Sequence, residues 1–239
     1  MEILPWMHQN SWQQDTTTTT TTTRPTTTTK LCSIGGGPGY DFVAAALVAT
    51  YRRLGNVDAL VLDYEPGWCD LVDRLTGVTN NVLGTNYTSS FAGCDITQAL
   101  SAPVNAVCRE AVPDTHMFLC QYCVAENYQR LQESDYIFFR ELLQLARPGA
   151  ALLLTETTNR LWPDFYDVAQ RLGPEYTVTF PYTKGFQLLI HKQPQSSFMA
   201  KDRDRVQDLV NGFRQNQQSQ DARIRTGFQR QKRRVRGAK

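Results

Sequence analysis

The sequence predicts an α/β fold: a doubly wound, mostly parallel sheet with a terminal antiparallel strand pair, built as a single domain. Three observations predict it. Short apolar runs alternate with segments of helical periodicity between residues 31 and 192. A glycine cluster separates the first apolar run from the first helical segment. The last two runs succeed each other around Lys184-Gly185, a hairpin signal with no helix in between.

Each element has a local cause. Residues 31–34 are a short apolar strand that stops at Gly35. Residues 41–54 read as a helix because Phe42, Ala45, Ala46, Ala49 and Leu54 fall near one face. Residues 58–63 form a buried strand ending in an acid, Asp63. Trp68, Leu71, Val72 and Leu75 recur at i, i+3, i+4 and i+7, which predicts a helix over 68–75. Residues 89–95 and 117–124 supply the third and fourth strands. Residues 136–146 are helical and stop before Pro148-Gly149. Residues 150–155 are a strongly apolar strand, and the continuous run 150–154 is what a strand buried on both faces should show. A helix over 162–172 ends at Gly173-Pro174, and 176–180 with 186–191 make the closing pair.

This core, residues 31–195, carries two additions of different composition. Residues 1–30 contain an unbroken threonine run from Thr16 to Thr23, repeated from Thr26 to Thr29. Threonine alone offers no alternating apolar face to offset the entropy of ordering, so this stretch reads as a disordered leader. Residues 196–239 are rich in Gln and Arg, and only Val206, Leu209, Val210 and Phe213 have the spacing of a short amphipathic helix. The net charge of +2 over 239 residues divides into +8 for residues 196–239 and −6 for the rest. An acidic body with a basic tail is the result. The longest apolar run, residues 42–49, is far short of the ~20 residues of a bilayer span, so no membrane partner is expected. Residues 1–10 lack the cationic and apolar blocks of a secretory signal. Six scattered cysteines in a chain of this size fit reduced thiols and an intracellular location, cytoplasmic or nuclear.

The strongest chemical signal is the strand-to-helix turn Ser33-Ile34-Gly35-Gly36-Gly37-Pro38-Gly39. Glycines here let the backbone turn sharply and let a ligand approach without a Cβ in the way. The helix start behind them offers unpaired N–H groups. The dinucleotide pattern G-x-G-x-x-G fails because Tyr40 holds its sixth position, and the Gly-Lys-Ser/Thr of a phosphate-binding loop is absent. The pattern that remains is G-x-G-x-G on Gly35, Gly37 and Gly39.

On these residues the chain resembles the class I S-adenosylmethionine-dependent methyltransferases, a Rossmann-like family. Their first motif sets an acid two residues before G-x-G-x-G, and Ser33 occupies that place here. Asp63, with Tyr64 and Glu65 behind it, matches the acid that accepts the ribose hydroxyls; capping of the next helix is its other reading. Asp95 before Ile96 matches the acid that recognises adenine, or is an N-cap. Gln121 and Tyr122 follow the fourth strand at the active-site edge, and the closing strands match the pair that distinguishes this fold. The resemblance covers about residues 31–192 and implies S-adenosyl-L-methionine as cofactor. The residues it implies as cofactor-binding are Ser33, Gly35, Gly36, Gly37, Gly39, Asp63, Tyr64, Asp95 and Gln121.

Acceptor chemistry is less legible, because a sulfonium cofactor brings its own activation and leaves positioning to the protein. Gln121, Tyr122, Glu126 and Asn127 lie where the carboxyl edge should be. The N/D-P-P-Y/F motif of exocyclic-amine enzymes and the Pro-Cys motif of cytosine-C5 enzymes are both absent. No catalytic residue and no metal ligand is assigned. Cys120 and Cys123 form a CxxC without a second pair; read as strand residues they point to opposite faces, as packed thiols, with a metal or redox role as the alternative. His8, His116 and His191 form no cluster, and Trp162 reads as a buried helix-start aromatic or an acceptor-pocket wall.

The tail from Arg223 to Lys239 holds eight Lys/Arg and no acid, which suits RNA contact, a nuclear address, or a solubilising end. The expected function is therefore a methyltransferase acting on RNA. The alternatives are a methyltransferase for a small molecule or protein, and a non-catalytic cofactor-binding or assembly protein of the same fold. Only the threonine-rich leader precedes the first strand, so the expectation is either a protein partner covering the cofactor site or a sequence that lacks its natural start.

Overall fold

The computed structural model describes residues 27–181, 186–194 and 205–219. The leader before residue 27, the Lys184-Gly185 turn and the basic tail from Arg223 lie outside the described residues. Among the described residues, seven strands form one sheet: β1 (Thr28–Ile34), β2 (Asn56–Asp63), β3 (Thr88–Gly93), β4 (Met117–Gln121), β5 (Ala151–Thr155), β6 (Tyr176–Thr179) and β7 (Gln187–Lys192). Their spatial order is β3-β2-β1-β4-β5-β7-β6. β1 to β5 pair in parallel, and β7 runs antiparallel between β5 and β6. The helices are α1 (Tyr40–Arg52), α2 (Cys69–Leu83), α3 (Ala106–Ala111), α4 (Tyr128–Glu133), α5 (Ile137–Leu145), α6 (Trp162–Leu172) and α7 over residues 205–219. A mostly parallel sheet closed by an antiparallel pair is the architecture the sequence predicts.

The strand alternation divides the core in two. Leu31, Ala59, Leu119 and Leu153 face Phe42, Ala46 and Ala49 of α1. Ile34, Leu62, Phe118 and Leu152 face the opposite way, onto Phe138, Phe139 and Leu142 of α5 and Trp162, Phe165 and Val168 of α6. Both faces are covered, which is why β5 reads as an unbroken apolar run.

Four boundaries differ from the sequence reading. β1 begins at Thr28, inside the residues assigned to the leader, because β-branched threonine suits a strand and Thr28 pairs with Asn56. α2 continues to Leu83 with Val72 and Thr79 as its buried line, while Leu71, placed on the apolar face, is 43% exposed. β4 stops at Gln121, because Tyr122 adopts φ 59 and leaves the extended path. α7, which falls within the residues assigned to the tail, packs on the body: Val206, Val210 and Phe213 are buried in the larger core. The short α3 and α4 were not predicted; at six residues each they are too brief to show a period.

Topology also fixes where a ligand can sit. From β1 the chain steps outward to β2 and β3, then returns to lay β4 on the other side of β1. The turns after β1 and β4 diverge from that switch point and leave a crevice at the carboxyl edge.

The aromatic cluster on α5 and α6 gives a stability prediction. Phe165 is fully buried, with ring centroids 5.1 Å from Tyr136 and 5.0 Å from Phe139 in edge-on contact. Phe165→Ala is expected to cost about 3–5 kcal/mol, read as a lower denaturation midpoint with unchanged slope.

Candidate functional site

The site is built on the turn that leaves β1. Gly35, Gly37 and Gly39 adopt φ 63, 51 and 93, a left-handed path that a side chain would strain. Gly36 is constrained differently, by space: a Cβ there would overlap Ser33 Oγ and lie 2.9 Å from Val61 Cγ1. A Cβ at Gly37 would meet nothing within 4 Å, so this backbone is open to a ligand. The turn is fastened to β2 by Gly36 N–H donating to Leu62 O at 3.0 Å.

Asp63 completes the fastening. Its Oδ2 accepts from Gly37 N–H and its Oδ1 from Glu65 N–H, each at 2.9 Å. The carboxylate thus bridges the turns after β1 and β2. It does not cap the next helical turn; Glu65 does, accepting from Gly67 N–H at 3.0 Å.

Ser33 lies beneath the loop rather than in the crevice. It is fully buried, and its hydroxyl donates to Asp41 Oδ2 at 2.6 Å. Ser33 faces α1 beneath Gly36 and does not line the cavity described below. Asp41, in the first turn of α1, is itself buried and receives a second hydrogen bond from Gln121 Nε2. Burial pushes its carboxyl above the ordinary value, and the Ser33 hydroxyl offsets only part of that.

A cavity of about 380 Å³ opens beside this loop, within the ~300–1,000 Å³ of small-molecule sites. Gly35, Asp63, Tyr64, Asp95 and Gln121 of the predicted set line it, together with Ile96, Tyr122, Cys94, Cys123, Glu126, Asn127 and Arg130. Gly36, Gly37, Gly39 and Ser33 belong to the loop and its support, outside the lining. Asp95 is both an anchor of its own turn and a lining residue: Oδ1 accepts from Thr97 N–H and Oγ1, and Oδ2 from Gln98 Nε2. Partial burial raises the Asp95 carboxyl, but the Thr97 and Gln98 hydrogen bonds and the Arg130 charge outweigh it and hold the group low.

The structure adds residues that sequence reasoning missed. Asn105, fully buried, accepts from Asp95 N–H through Oδ1 and donates to Asp95 O and Ala99 O, locking that loop. Glu156, just past β5, accepts from the N–H groups of Val124 and Ala125 and fixes the segment after β4. Arg130 stands in the cavity wall. Only Glu156 had a readable signal, an acid closing a wholly apolar strand; Asn105 and Arg130 act through contacts remote in sequence.

The remaining candidates fall into place by geometry. Cys120 and Cys123 converge, against the strand-based expectation that they diverge, because β4 ends between them; their sulfurs are 3.1 Å apart and all six cysteines are free. The Cys123 thiol and burial push the Cys120 thiol well up. Among the described residues no cluster of His, Cys, Asp and Glu is arranged to hold a metal. Trp162 is in the core and not in the cavity wall. His116 accepts from Lys30 N–H at 2.9 Å on the far side of the sheet, and His191 sits in β7. A larger depression of about 640 Å³ lies over Asp135, Asp164 and Arg171, but those groups already pair with one another or with Tyr136. No helix among the described residues is long and apolar enough to cross a membrane.

No protein-family model matches the chain, and no curated protein matches it. Among solved structures it is similar to the antibiotic-resistance methyltransferase Kmr, at 12% identity and TM-score 0.48 over 70% of this chain and 87% of that one. It is also similar to an S-adenosylmethionine-dependent methyltransferase from Methanosarcina mazei, at 10% identity and TM-score 0.47 over 67% and 89%. A third similar structure is the precorrin-8w decarboxylase of Methanobacterium thermoautotrophicum, at 13% identity and TM-score 0.42 over 70% and 81%. These are likenesses of chain path.

Two predictions follow from the loop. Asp41 has its folded-state pKa raised, so the folded protein binds that proton more tightly than the unfolded chain. Stability from this group is therefore lost as pH rises from about 3.8 through the raised value. Asp41→Asn should melt at a higher temperature than wild type at pH 7, with the difference shrinking as pH falls through that window. Gly36→Ala should destabilise by about 1–3 kcal/mol in urea titration, since both atoms it strikes belong to packed strands.

Proposed function

We propose that this protein is a methyltransferase using S-adenosyl-L-methionine. The observation that carries the reading is the Asp63 carboxylate, which ties an open glycine turn to the tip of β2 at the head of a cavity on the carboxyl edge. Asp63 keeps acceptor capacity beyond its two backbone bonds, since each carboxylate oxygen has a second lone pair. That suits a ribose diol. Tyr64, 77% exposed, and Ile96 offer apolar surface for a base, with Asp95 as an acceptor for its amino group. The glycine turn and Gln121 are left for the amino-acid end of the same molecule. When bound, such a cofactor supplies a methyl group already activated by its sulfonium. The chain's part is to hold the acceptor in line and exclude water.

RNA is the acceptor favoured here. The +8 charge of residues 196–239 attracts phosphates without regard to sequence. Tyr64 and Tyr122, 77% and 55% exposed, line the cavity, where unpaired bases could stack. The same rim would serve a protein partner that closes the site. One observation favours a small-molecule acceptor instead. A second cleft of about 570 Å³ shares Glu126, Asn127 and Arg130 with the cavity and adds Glu133, so carboxylates outnumber the arginine where a phosphate would pass.

Calorimetry with S-adenosylhomocysteine tests the cofactor reading. Wild type should bind, and Asp63→Ala should bind at least tenfold more weakly, as expected for losing charge-assisted hydrogen bonds. Absence of binding by wild type would remove the proposal. For the acceptor, radiolabelled methyl transfer to fractionated RNA should fall on deletion of residues 220–239, a cut that leaves α7 whole. Equal transfer to small metabolites by both forms would favour the second reading, and binding without transfer a non-catalytic role.

A further inference from the structure

The cavity wall holds a pair of thiols that the proposed chemistry does not use. Cys120, the penultimate residue of β4, is fully buried. Cys123, just past the strand, is half-buried and lines the cavity. Their sulfurs stand 3.1 Å apart. The backbone holds both ends of this contact. Cys120 is paired in the sheet with Ile34 and Leu154. Tyr122 N–H donates to Thr155 O, and Cys123 O accepts from Asn127 Nδ2, each at 2.9 Å. The entropy of bringing the sulfurs together is thus lost in folding and not in any later reaction between them.

The two thiols differ in access. A small oxidant entering the cavity meets Cys123, with Cys120 behind it. The Cys123 thiol and burial hold the Cys120 thiol well up, so Cys120 keeps its proton and can give it to Cys123 Sγ. An accessible sulfur backed by a second, resolving one is the order in which a dithiol oxidises.

We infer that Cys120 and Cys123 are a modification site, which a hydroperoxide oxidises to an intrachain disulfide that reshapes the cavity wall. Cys123 sulfur attacks one peroxide oxygen, the O–O bond breaks, and the other oxygen leaves as water after taking a proton. Cys120 sulfur then attacks the Cys123 sulfenic acid, the S–O bond breaks, and the hydroxyl leaves as water with the Cys120 proton. With hydrogen peroxide, two thiols and one peroxide give one disulfide and two waters, and two electrons pass from sulfur to oxygen.

The site is coupled to the cavity by position. The residues inside the closed ring are Gln121 and Tyr122, and both line the cavity. Cys123 also packs on the glycine turn: a Cβ at Gly35 would lie 2.8 Å from both Cβ and Sγ of Cys123. Oxidation removes the proton that Cys123 Sγ directs at Ile34 O, 3.7 Å away, and draws the sulfur toward Cys120.

The test treats the reduced full chain with hydrogen peroxide, quenches it, unfolds it in iodoacetamide and maps it by mass spectrometry. Cys120 and Cys123 lie together in the tryptic peptide 110–130, without another cysteine. That peptide should lose two hydrogens and escape alkylation at least about tenfold faster than Cys32, Cys94 and Cys108 are lost, and dithiothreitol should restore both thiols. Cys120→Ser should leave Cys123 as a sulfenic acid that dimedone traps, and Cys123→Ser should leave Cys120 a thiol. Hydrogen exchange reads the cavity: segments 31–41 and 121–127 should change on oxidation of wild type and not of Cys120→Ser. Cys69, exposed at the start of α2, is the accessible control. If Cys69 or Cys94 oxidises while Cys120 and Cys123 remain thiols, the inference falls. If the disulfide forms but exchange around Gly35 to Gly39 is unchanged, the pair does not act on the cavity and the inference falls as well. These readouts use no ligand, so failure of the cofactor reading leaves the inference standing, and failure of the inference leaves that reading untouched.

Discussion

The fold's functional edge depends on one ionic hydrogen-bond bridge, from the Asp63 carboxylate to the backbone N–H groups of Gly37 and Glu65. The two turns it joins leave neighbouring parallel strands, and parallel strands have no hairpin to hold their ends together. Without the bridge, the left-handed glycine turn would be fixed to β2 only by Gly36 donating to Leu62 O. The bridge places a charge at the crevice and a rigid main chain beside it in one stroke. The same bonds order the loop and, on the proposed reading, would preorganise it for a diol.

Support for this edge comes from outside the motif. Asn105 closes the loop after β3 by bonding both sides of Asp95, and Glu156 closes the segment after β4 through Val124 and Ala125. Burial pushes the Glu156 carboxyl up, and the amides of Ala125, Val124 and Thr157 offset only part of that. Each strand-end turn around the crevice is therefore tied by a side chain from a different element. Tyr122 shows what that tightness imposes: it is held at φ 59, unusual for a bulky residue, while its N–H is given to Thr155 O at 2.9 Å. A left-handed tyrosine at the mouth of a cavity marks backbone conformation set by the surroundings rather than by the residue's own preference.

The sequence made the fold largely readable because its signals were local. Periodicity on Phe42, Ala46 and Ala49 marks α1, and continuous apolarity marks β5; both are properties of a short window. The glycine turn and Asp63 were readable for the same reason, as each ends a strand. What escaped depends on pairs distant in the chain. Asn105 meets Asp95 through a loop of ten residues, Gln121 meets Asp41 across eighty, and no composition reveals either. The setting of Ser33 was hidden for a related reason: packing turns it to α1, and the acid to which it donates lies eight residues on. The Cys120 and Cys123 sulfurs converge only because β4 ends one residue before Tyr122 turns the chain.

Charge distribution extends the same logic to the whole molecule. The body carries −6, yet its carboxylates near the crevice are mostly committed to backbone amides, which lowers their cost inside and leaves little free negative field from them. Glu126 and Glu133 line the adjoining cleft beside Arg130, and Glu133 accepts from Gln129 Nε2 at 2.8 Å. α7, residues 205–219, docks onto the larger core through Val206, Val210 and Phe213. The acidic body and this helix belong together: Arg214 pairs with Asp167 of α6, so opposite charge adds to apolar burial in docking it.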